Sequence, residues 1–139
     1  MMPRYLLDTN IVIYLAKGRP GSVRERLARH ASDDIAISVV TLGELRFGAE
    51  KSQSREQALA VIDTLSQRIR VLALPEPAGA HYGQIRAALQ RKGQIIGNND
   101  LWLAAHARAE GLILVTNNER EFVRVPGLLV ENWVDGLSL

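Results

Sequence analysis

Short apolar runs alternate with longer amphipathic segments along this chain. The runs are rich in Leu, Ile and Val and bounded by turn residues, which is typical of buried strands; they lie at residues 5–7, 35–40, 71–74, 112–115 and 128–130. The segments between them repeat apolar residues at helical spacing. This alternation predicts an α/β fold with a central parallel β-sheet flanked by α-helices on both faces, as one domain over residues 1–139.

Local signals place several helix ends. Gly18 and Gly111 each follow an amphipathic segment and predict helix stops. Ser22 to Glu25 has the form of a capping box and predicts a helix start at Ser22, and Thr41 to Glu44 has the same form. Asp100 follows a Gly-Asn-Asn turn and is expected to begin another helix.

Composition narrows the class of protein. Hydrophobic residues make up 47% and charged residues 23% of the 139 residues, the balance of an ordinary globular domain. The absence of cysteine excludes disulfides and thiolate metal sites and indicates a reducing compartment. No apolar stretch has signal-peptide or membrane length, so we expect a cytoplasmic protein without membrane contact. A net charge of +2 does not by itself indicate a nucleic-acid partner.

Three acidic residues are predicted to meet at one edge of the sheet. Asp8 follows the first strand, Glu44 lies near the start of the helix after the second strand, and Asp100 begins the helix before residues 112–115. In a parallel sheet these positions converge on one rim. Clustered carboxylates repel each other unless a cation lies between them, and oxygen ligands without Cys or a suitably spaced His pair select Mg²⁺ or Mn²⁺. Such a site supports metal-assisted hydrolysis of a phosphodiester.

Each acid also has a purely structural explanation. Asp8 can cap the helix that follows it. Glu44 can complete a capping box with Thr41, and Asp100 can interact with the helix dipole, a contribution of about 0.3–1 kcal/mol. The spacing alone therefore leaves two interpretations open, a nuclease site and three unrelated helix starts.

Four separated motifs resemble those of the PIN-domain ribonucleases, and in particular the VapC toxins of bacterial toxin–antitoxin pairs. The motifs are Leu-Leu-Asp-Thr-Asn at 6–10, Ser-Val-Val-Thr-Leu-Gly-Glu-Leu-Arg-Phe-Gly-Ala at 38–49, Gly-Asn-Asn-Asp-Leu-Trp-Leu-Ala-Ala-His-Ala at 97–107, and Leu-Val-Thr-Asn-Asn at 114–118. The resemblance extends from about Leu6 to Trp133. It implies a Mg²⁺-dependent endoribonuclease that cleaves RNA, with structured RNA such as tRNA as a substrate class, and that forms a homodimer inhibited by a cognate antitoxin protein.

The resemblance also assigns roles to individual residues. Asp8 and Asp100 match the family's metal ligands, and Glu44 matches its third active-site acid, so these three are the predicted catalytic residues. The family often has Asp where this chain has Asn118, which removes one negative charge from the predicted site.

Further residues are candidates for completing the site. Glu119 and Glu121 lie close to Asn118 in sequence, and an extended segment there would aim Glu121 away from the core residue Phe122 and towards the metal. The alternative is that Glu121 is a solvated loop acid. Thr9 can hydrogen-bond an acid or a metal-bound water, and Arg86 can either reach the acidic rim or remain on the surface.

Two other functions remain open at this point. Asn118 is compatible with a catalytically weak PIN-like module that binds RNA or regulates another protein. A phosphatase that uses Asp8 as its nucleophile is less well supported, because Asn10 occupies the place of the second acid that such enzymes need. We expect His106, Trp102 and Trp133 to serve packing rather than catalysis.

Overall fold

Five parallel strands form one sheet in the order β3-β2-β1-β4-β5 in the computed structural model, which describes residues 2–134. The elements are β1 Tyr5–Leu7, α1 Thr9–Lys17, α2 Gly21–Ala28, a 3₁₀ turn Ser32–Asp34, β2 Ile35–Ser38, α3 Val39–Glu50, α4 Arg55–Arg68, β3 Arg70–Leu72, α5 Ala78–Arg91, α6 Asn98–Glu110, β4 Ile113–Val115, α7 Glu119–Phe122 and β5 Leu129–Glu131. The predicted α/β class and parallel sheet are confirmed.

The register of the three central strands aligns their carboxyl ends. Leu7 of β1 pairs with Ile37 of β2 on one side and with Val115 of β4 on the other. The residues that follow these strands therefore leave the sheet at one edge. Asp8 is held there by its backbone amide, which donates to the Val115 carbonyl at 3.0 Å.

Alternate strand residues build two hydrophobic cores, one on each face of the sheet. Leu6, Ala36 and Leu114 pack on one face with residues of α5 and α6. On the opposite face, Leu7 and Ile37 pack with residues of α1 and α2. The predicted helices on both faces are thus confirmed, and the central strands are buried from both sides, as their unbroken apolar runs indicate.

Glycine ends two of the helices as predicted. Gly18 after α1 and Gly111 after α6 adopt φ angles of 71° and 66°, the left-handed region in which a Cβ is strained. No helix within residues 2–134 is long and apolar enough to cross a membrane.

Several local predictions are wrong. Helix α2 begins at Gly21 with Pro20 in the N-cap position, so Ser22 lies inside the helix and does not cap it. Strand β2 ends at Ser38 rather than residue 40, because the Ser38 hydroxyl accepts a hydrogen bond from the Val40 amide at 3.1 Å and starts α3 there. The segment after β4 is not extended but turns into the short helix α7.

Candidate active site

Asp8 is both a helix cap and a wall of the site. Its Oδ1 accepts a hydrogen bond from the Ile11 amide at 3.0 Å, and the side chain is also hydrogen-bonded to Thr116. Burial raises the pKa of Asp8 above its ordinary value of 3.8, while the hydrogen bonds from Thr116 and the backbone act in the opposite direction. Capping and a place in the site are therefore compatible for this residue.

Glu44 is held towards the same site by a threonine. It lies in the second turn of α3, and the Thr9 hydroxyl donates to its Oε1 at 2.6 Å. The capping box predicted between Thr41 and Glu44 is wrong, since Ser38 is the N-cap. The buried Thr41 hydroxyl has no hydrogen-bond partner within the part of the chain that the structure describes. Glu44 therefore has no capping role that would explain its position.

Asp100 is partly buried among other negatively charged side chains. It is the third residue of α6, whose N-cap is Gly97. Its pKa is raised from 3.8 to about 7, first by burial and then by the negative charges of Glu121, Glu44 and Asp8. The four carboxylates thus interact with each other across one small space.

Glu121 contacts the cluster of acids from a helix and not from the predicted extended segment. It lies on helix α7, where the Asn118 side-chain amide donates to its Oε2, and it is hydrogen-bonded to Asp100. The predicted extended backbone is wrong, yet Glu121 still reaches the cluster. Glu119 lies apart from this contact, because its Oε1 accepts from the Asn132 side-chain amide at 3.0 Å.

A small cavity of about 130 Å³ lies between these side chains. Eight residues line it: Asp8, Thr9, Asn10, Glu44, Asp100, Leu103, Asn118 and Phe122. These lining residues include three acids and no Lys, Arg or His. The cavity therefore offers oxygen donors and excess negative charge, which suits a small hard cation.

The donor chemistry fits such a cation, but the present side-chain arrangement is not a finished coordination shell. Within residues 2–134, no set of three or more acids or histidines is already arranged to hold an ion. The carboxylates are instead engaged by the Ile11 amide, the Thr9 hydroxyl and the Asn118 amide. Each of these hydrogen bonds engages one carboxylate oxygen, so the second oxygen and the remaining lone pairs are available to a cation.

Three of the other residues considered above, Arg86, His106 and Trp133, lie outside the cavity. The Arg86 guanidinium donates to the Tyr82 hydroxyl at 2.8 Å, and that hydroxyl in turn contacts Asn98 at the start of α6. His106 is fully buried with its Nδ1 2.9 Å from the Ser38 hydroxyl, and burial lowers its pKa. Trp133 is buried in a core, as expected. None of these three therefore contributes to the lining between the acids.

Sequence reasoning missed Thr116. This buried residue hydrogen-bonds Asp8, and its Oγ1 accepts from the Asn118 amide at 2.9 Å. It follows β4 as Asp8 follows β1, so the shared position after a central strand was the signal that could have found it.

Comparison with known proteins places this architecture in a family. The PIN domain family matches residues 5–128. The chain is 48% identical over 133 residues to ribonuclease VapC2 of Haemophilus influenzae, covering 96% of this chain and all of that protein. It is 52% identical over 132 residues to the tRNA(fMet)-specific endonuclease VapC of Shigella flexneri, covering 95% of this chain and 99% of the relative.

Solved structures agree with this assignment. DNA-bound VapBC from Salmonella typhimurium superimposes with a TM-score of 0.89 at 45% identity and covers 95% of this chain and 99% of that chain. VapBC2 from Rickettsia felis, bound to a DNA fragment from its promoter, gives a TM-score of 0.86 at 41% identity over 93% and 98% of the two chains. This protein belongs to the PIN-domain family and, within it, to the VapC ribonucleases.

Proposed function

We propose that this protein is the toxin of a toxin–antitoxin pair and that it hydrolyses RNA with the help of a divalent cation bound between Asp8 and Asp100. The observation that carries the proposal is the convergence of four acids: burial, followed by the negative charges of Glu121, Glu44 and Asp8, raises the pKa of Asp100 to about 7. A cation between the carboxylates relieves this repulsion. Mg²⁺ is the expected ion and Mn²⁺ a possible substitute, because both prefer oxygen ligands.

Each side chain has a distinct part in the proposed reaction. Asp8, fixed by the Ile11 amide and Thr116, supplies a ligand that does not need to be ordered when the ion binds. Asp100 supplies the second ligand, and Glu44, oriented by Thr9, is positioned to accept a proton from the attacking water. A bound divalent cation lowers the pKa of water and neutralises charge on the phosphodiester.

The related proteins indicate which substrate and which partner protein to propose. The Shigella flexneri and Salmonella typhimurium relatives are named tRNA(fMet)-specific endonucleases, and we propose a tRNA, first of all the initiator tRNA, as the substrate of this protein in the cytoplasm. The VapBC complexes support a cognate antitoxin as the inhibitor. We further propose that the protein is a homodimer.

A catalytically weak RNA-binding module is the second candidate. Asn118 favours it, because an amide brings no charge to a position where the family often has Asp. Glu121 opposes it, since its carboxylate lies against Asp100 and restores a negative charge to that corner. The two candidates differ in whether purified protein cleaves RNA.

The test is cleavage of an initiator tRNA transcript by the purified protein. We expect cleavage with Mg²⁺ or Mn²⁺, its loss in EDTA, and its recovery when the metal is restored. Asp8→Asn and Asp100→Asn should each lower the rate by at least about a hundredfold, since even groups that only support a metal ligand contribute about 10- to 100-fold. Both variants should also relieve the growth arrest that we expect from expression of the wild type alone.

Folding of the two variants provides the control. Circular dichroism should show the wild-type spectrum for both, because each substitution removes a charge and keeps the shape of the side chain. Cleavage that survives EDTA, or growth arrest that persists in the Asp8→Asn protein, would contradict metal-dependent hydrolysis. Binding of tRNA without any cleavage would favour the second candidate.

A further inference from the structure

Helix α3 carries a large aromatic side chain that the fold leaves uncovered. Phe47 is 65% exposed, and Val39, two turns earlier on the same helix, is 43% exposed. Gly43 lies between them at helical spacing, so the three residues share one face of α3. A Cβ added at Gly43 would meet no atom within 4 Å, which leaves the surface between Val39 and Phe47 open.

This face borders a groove that leads to the acids. The groove has a volume of about 610 Å³, and its lining residues are Thr9, Val39, Val40, Gly43, Glu44, Phe47 and Asn99. Thr9 and Glu44 also line the acidic cavity, so the two spaces are neighbours. Whatever lies on Phe47 is therefore adjacent to the place where we propose that RNA is cleaved.

A positive charge next to Phe47 could bind the phosphate of a nucleotide. The ammonium of Lys51, the C-cap of α3, lies over one face of the Phe47 ring at 4.8 Å from its centre, so a base would stack on the opposite face. An exposed aromatic ring stacks with a nucleobase of any type, and a neighbouring cation attracts the phosphate that joins that base to the next. The lining residues Thr9 and Asn99 add polar groups that can hydrogen-bond the sugar and phosphate of a nucleotide.

We propose that Phe47 stacks against an unpaired base of the RNA close to the cleaved bond and that Lys51 contacts a phosphate of the same strand. This inference rests on the proposed RNA cleavage and identifies how the substrate is held. It requires that the base next to the scissile bond leaves its helix or belongs to a loop, since a paired base offers no free face for stacking.

Kinetics on the initiator tRNA transcript test the role of Phe47. Phe47→Ala should raise KM by about fivefold to a hundredfold, the range expected for loss of one base stack, and change kcat by less than about twofold. Phe47→Tyr should keep a near-normal KM because it retains an aromatic face. Leu129→Ala, which truncates a 57% exposed side chain at the start of β5, is the matched control and should behave as wild type.

Substrates that lack one base connect Phe47 to a particular nucleotide. Transcripts with an abasic site at each position flanking the cleaved bond should include one that binds wild type as weakly as the intact RNA binds Phe47→Ala. That same abasic RNA should lose nothing further with Phe47→Ala, because the stack is already absent. Independent, multiplied losses at every abasic position would overturn the assignment.

A blocking substitution tests the groove without removing any contact. Gly43→Leu fills the open space between Val39 and Phe47 and should raise KM while leaving the fold at least as stable, since glycine weakens a helix interior. Gly83→Leu on α5, another helical glycine with no atom within 4 Å of an added Cβ, is the control and should leave KM unchanged. Lys51→Gln should reduce the slope of log K against log salt by about one.

The outcomes separate failure of this inference from failure of the proposed function. If the wild type does not cleave RNA, the proposed function fails and the inference with it. If the wild type cleaves but Phe47→Ala and Gly43→Leu keep the wild-type KM, only the inference fails. Light scattering of Phe47→Ala settles the remaining possibility, because dissociation of a wild-type dimer would assign this face to a second copy of the chain and overturn the inference.

Discussion

Asp8 and Asp100 face one cavity, yet their surroundings differ in kind. Asp8 accepts hydrogen bonds from the Ile11 amide and Thr116, which favour its charged form against the effect of burial. For Asp100, every cause of the pKa shift acts upwards: burial, the charges of Glu121, Glu44 and Asp8, and the hydrogen bond to Glu121. Both acids have a raised pKa, but hydrogen bonds partly offset the effect of burial for Asp8, and no hydrogen bond within residues 2–134 offsets it for Asp100.

This difference separates structural from functional reasons for a residue. Asp8 contributes to the start of α1 whether or not an ion is bound. Asp100 lies in the first turn of α6, where the helix dipole contributes about 0.3–1 kcal/mol, but burial and the neighbouring charges act against its ionised form. A cation bound at the site would account for its position. Strained, charged positions of this kind are a physical indication of function.

The largest expected effect of this difference between the two acids is on the stability of the protein. In EDTA at pH 8, Asp100→Asn should raise the free energy of unfolding by about 1–3 kcal/mol, since one pKa unit corresponds to about 1.4 kcal/mol and solvent screens part of the shift. The destabilisation by Asp100 is absent below its unfolded pKa of 3.8 and grows as the pH rises to about 7. The gain should therefore disappear near pH 4. Urea unfolding at the two pH values measures it.

Removal of the Asp8 side chain is expected to lower the free energy of unfolding, which the same urea unfolding experiment measures. Asp8→Ala should be less stable than Asp8→Asn by about 0.5–2 kcal/mol, because Asn keeps the N-cap hydrogen bond and Ala removes it. Equal stability of these two variants, together with no gain from Asp100→Asn at pH 8, would remove the contrast between the two acids.

An intermediate effect concerns the charge next to Asp100. Glu121→Gln should raise the Mg²⁺ concentration that gives half-maximal cleavage by about tenfold, with recovery at high Mg²⁺, because one of the acids around the ion is neutralised. Asn118→Asp in the same protein should restore much of the loss. A Mg²⁺ dependence unchanged in Glu121→Gln would mean that Asp8, Glu44 and Asp100 form the site alone.

The smallest effect is predicted for Arg86. Its guanidinium contacts the Tyr82 hydroxyl, which contacts Asn98 two residues before Asp100, so it reaches the site only through the start of α6. Arg86→Ala should change cleavage by less than about threefold and should not alter the Mg²⁺ dependence, since exposed polar contacts contribute little. A loss of tenfold or more would place Arg86 on the substrate.

The sequence alone determined the layout of this protein. Unbroken apolar runs such as Tyr5–Leu7 are sufficient to predict strands buried on both faces, and their alternation with amphipathic segments predicts the parallel sheet. Because the carboxyl ends of parallel strands share one edge of the sheet, the sequence also predicts that Asp8, Glu44 and Asp100 lie at that edge.

The tertiary structure alone decided how the rim is completed. Thr116 joins Asp8 because β1 and β4 are neighbours in register, a pairing between residues over a hundred positions apart that no local pattern encodes. Glu121 reaches Asp100 from the short helix α7, where the local sequence favoured an extended segment equally well. Ser38 starts α3 in place of Thr41, since both are good caps and the buried strand ends at Ser38. Local sequence offers several conformations of similar free energy at such positions, and packing across the sheet selects one of them.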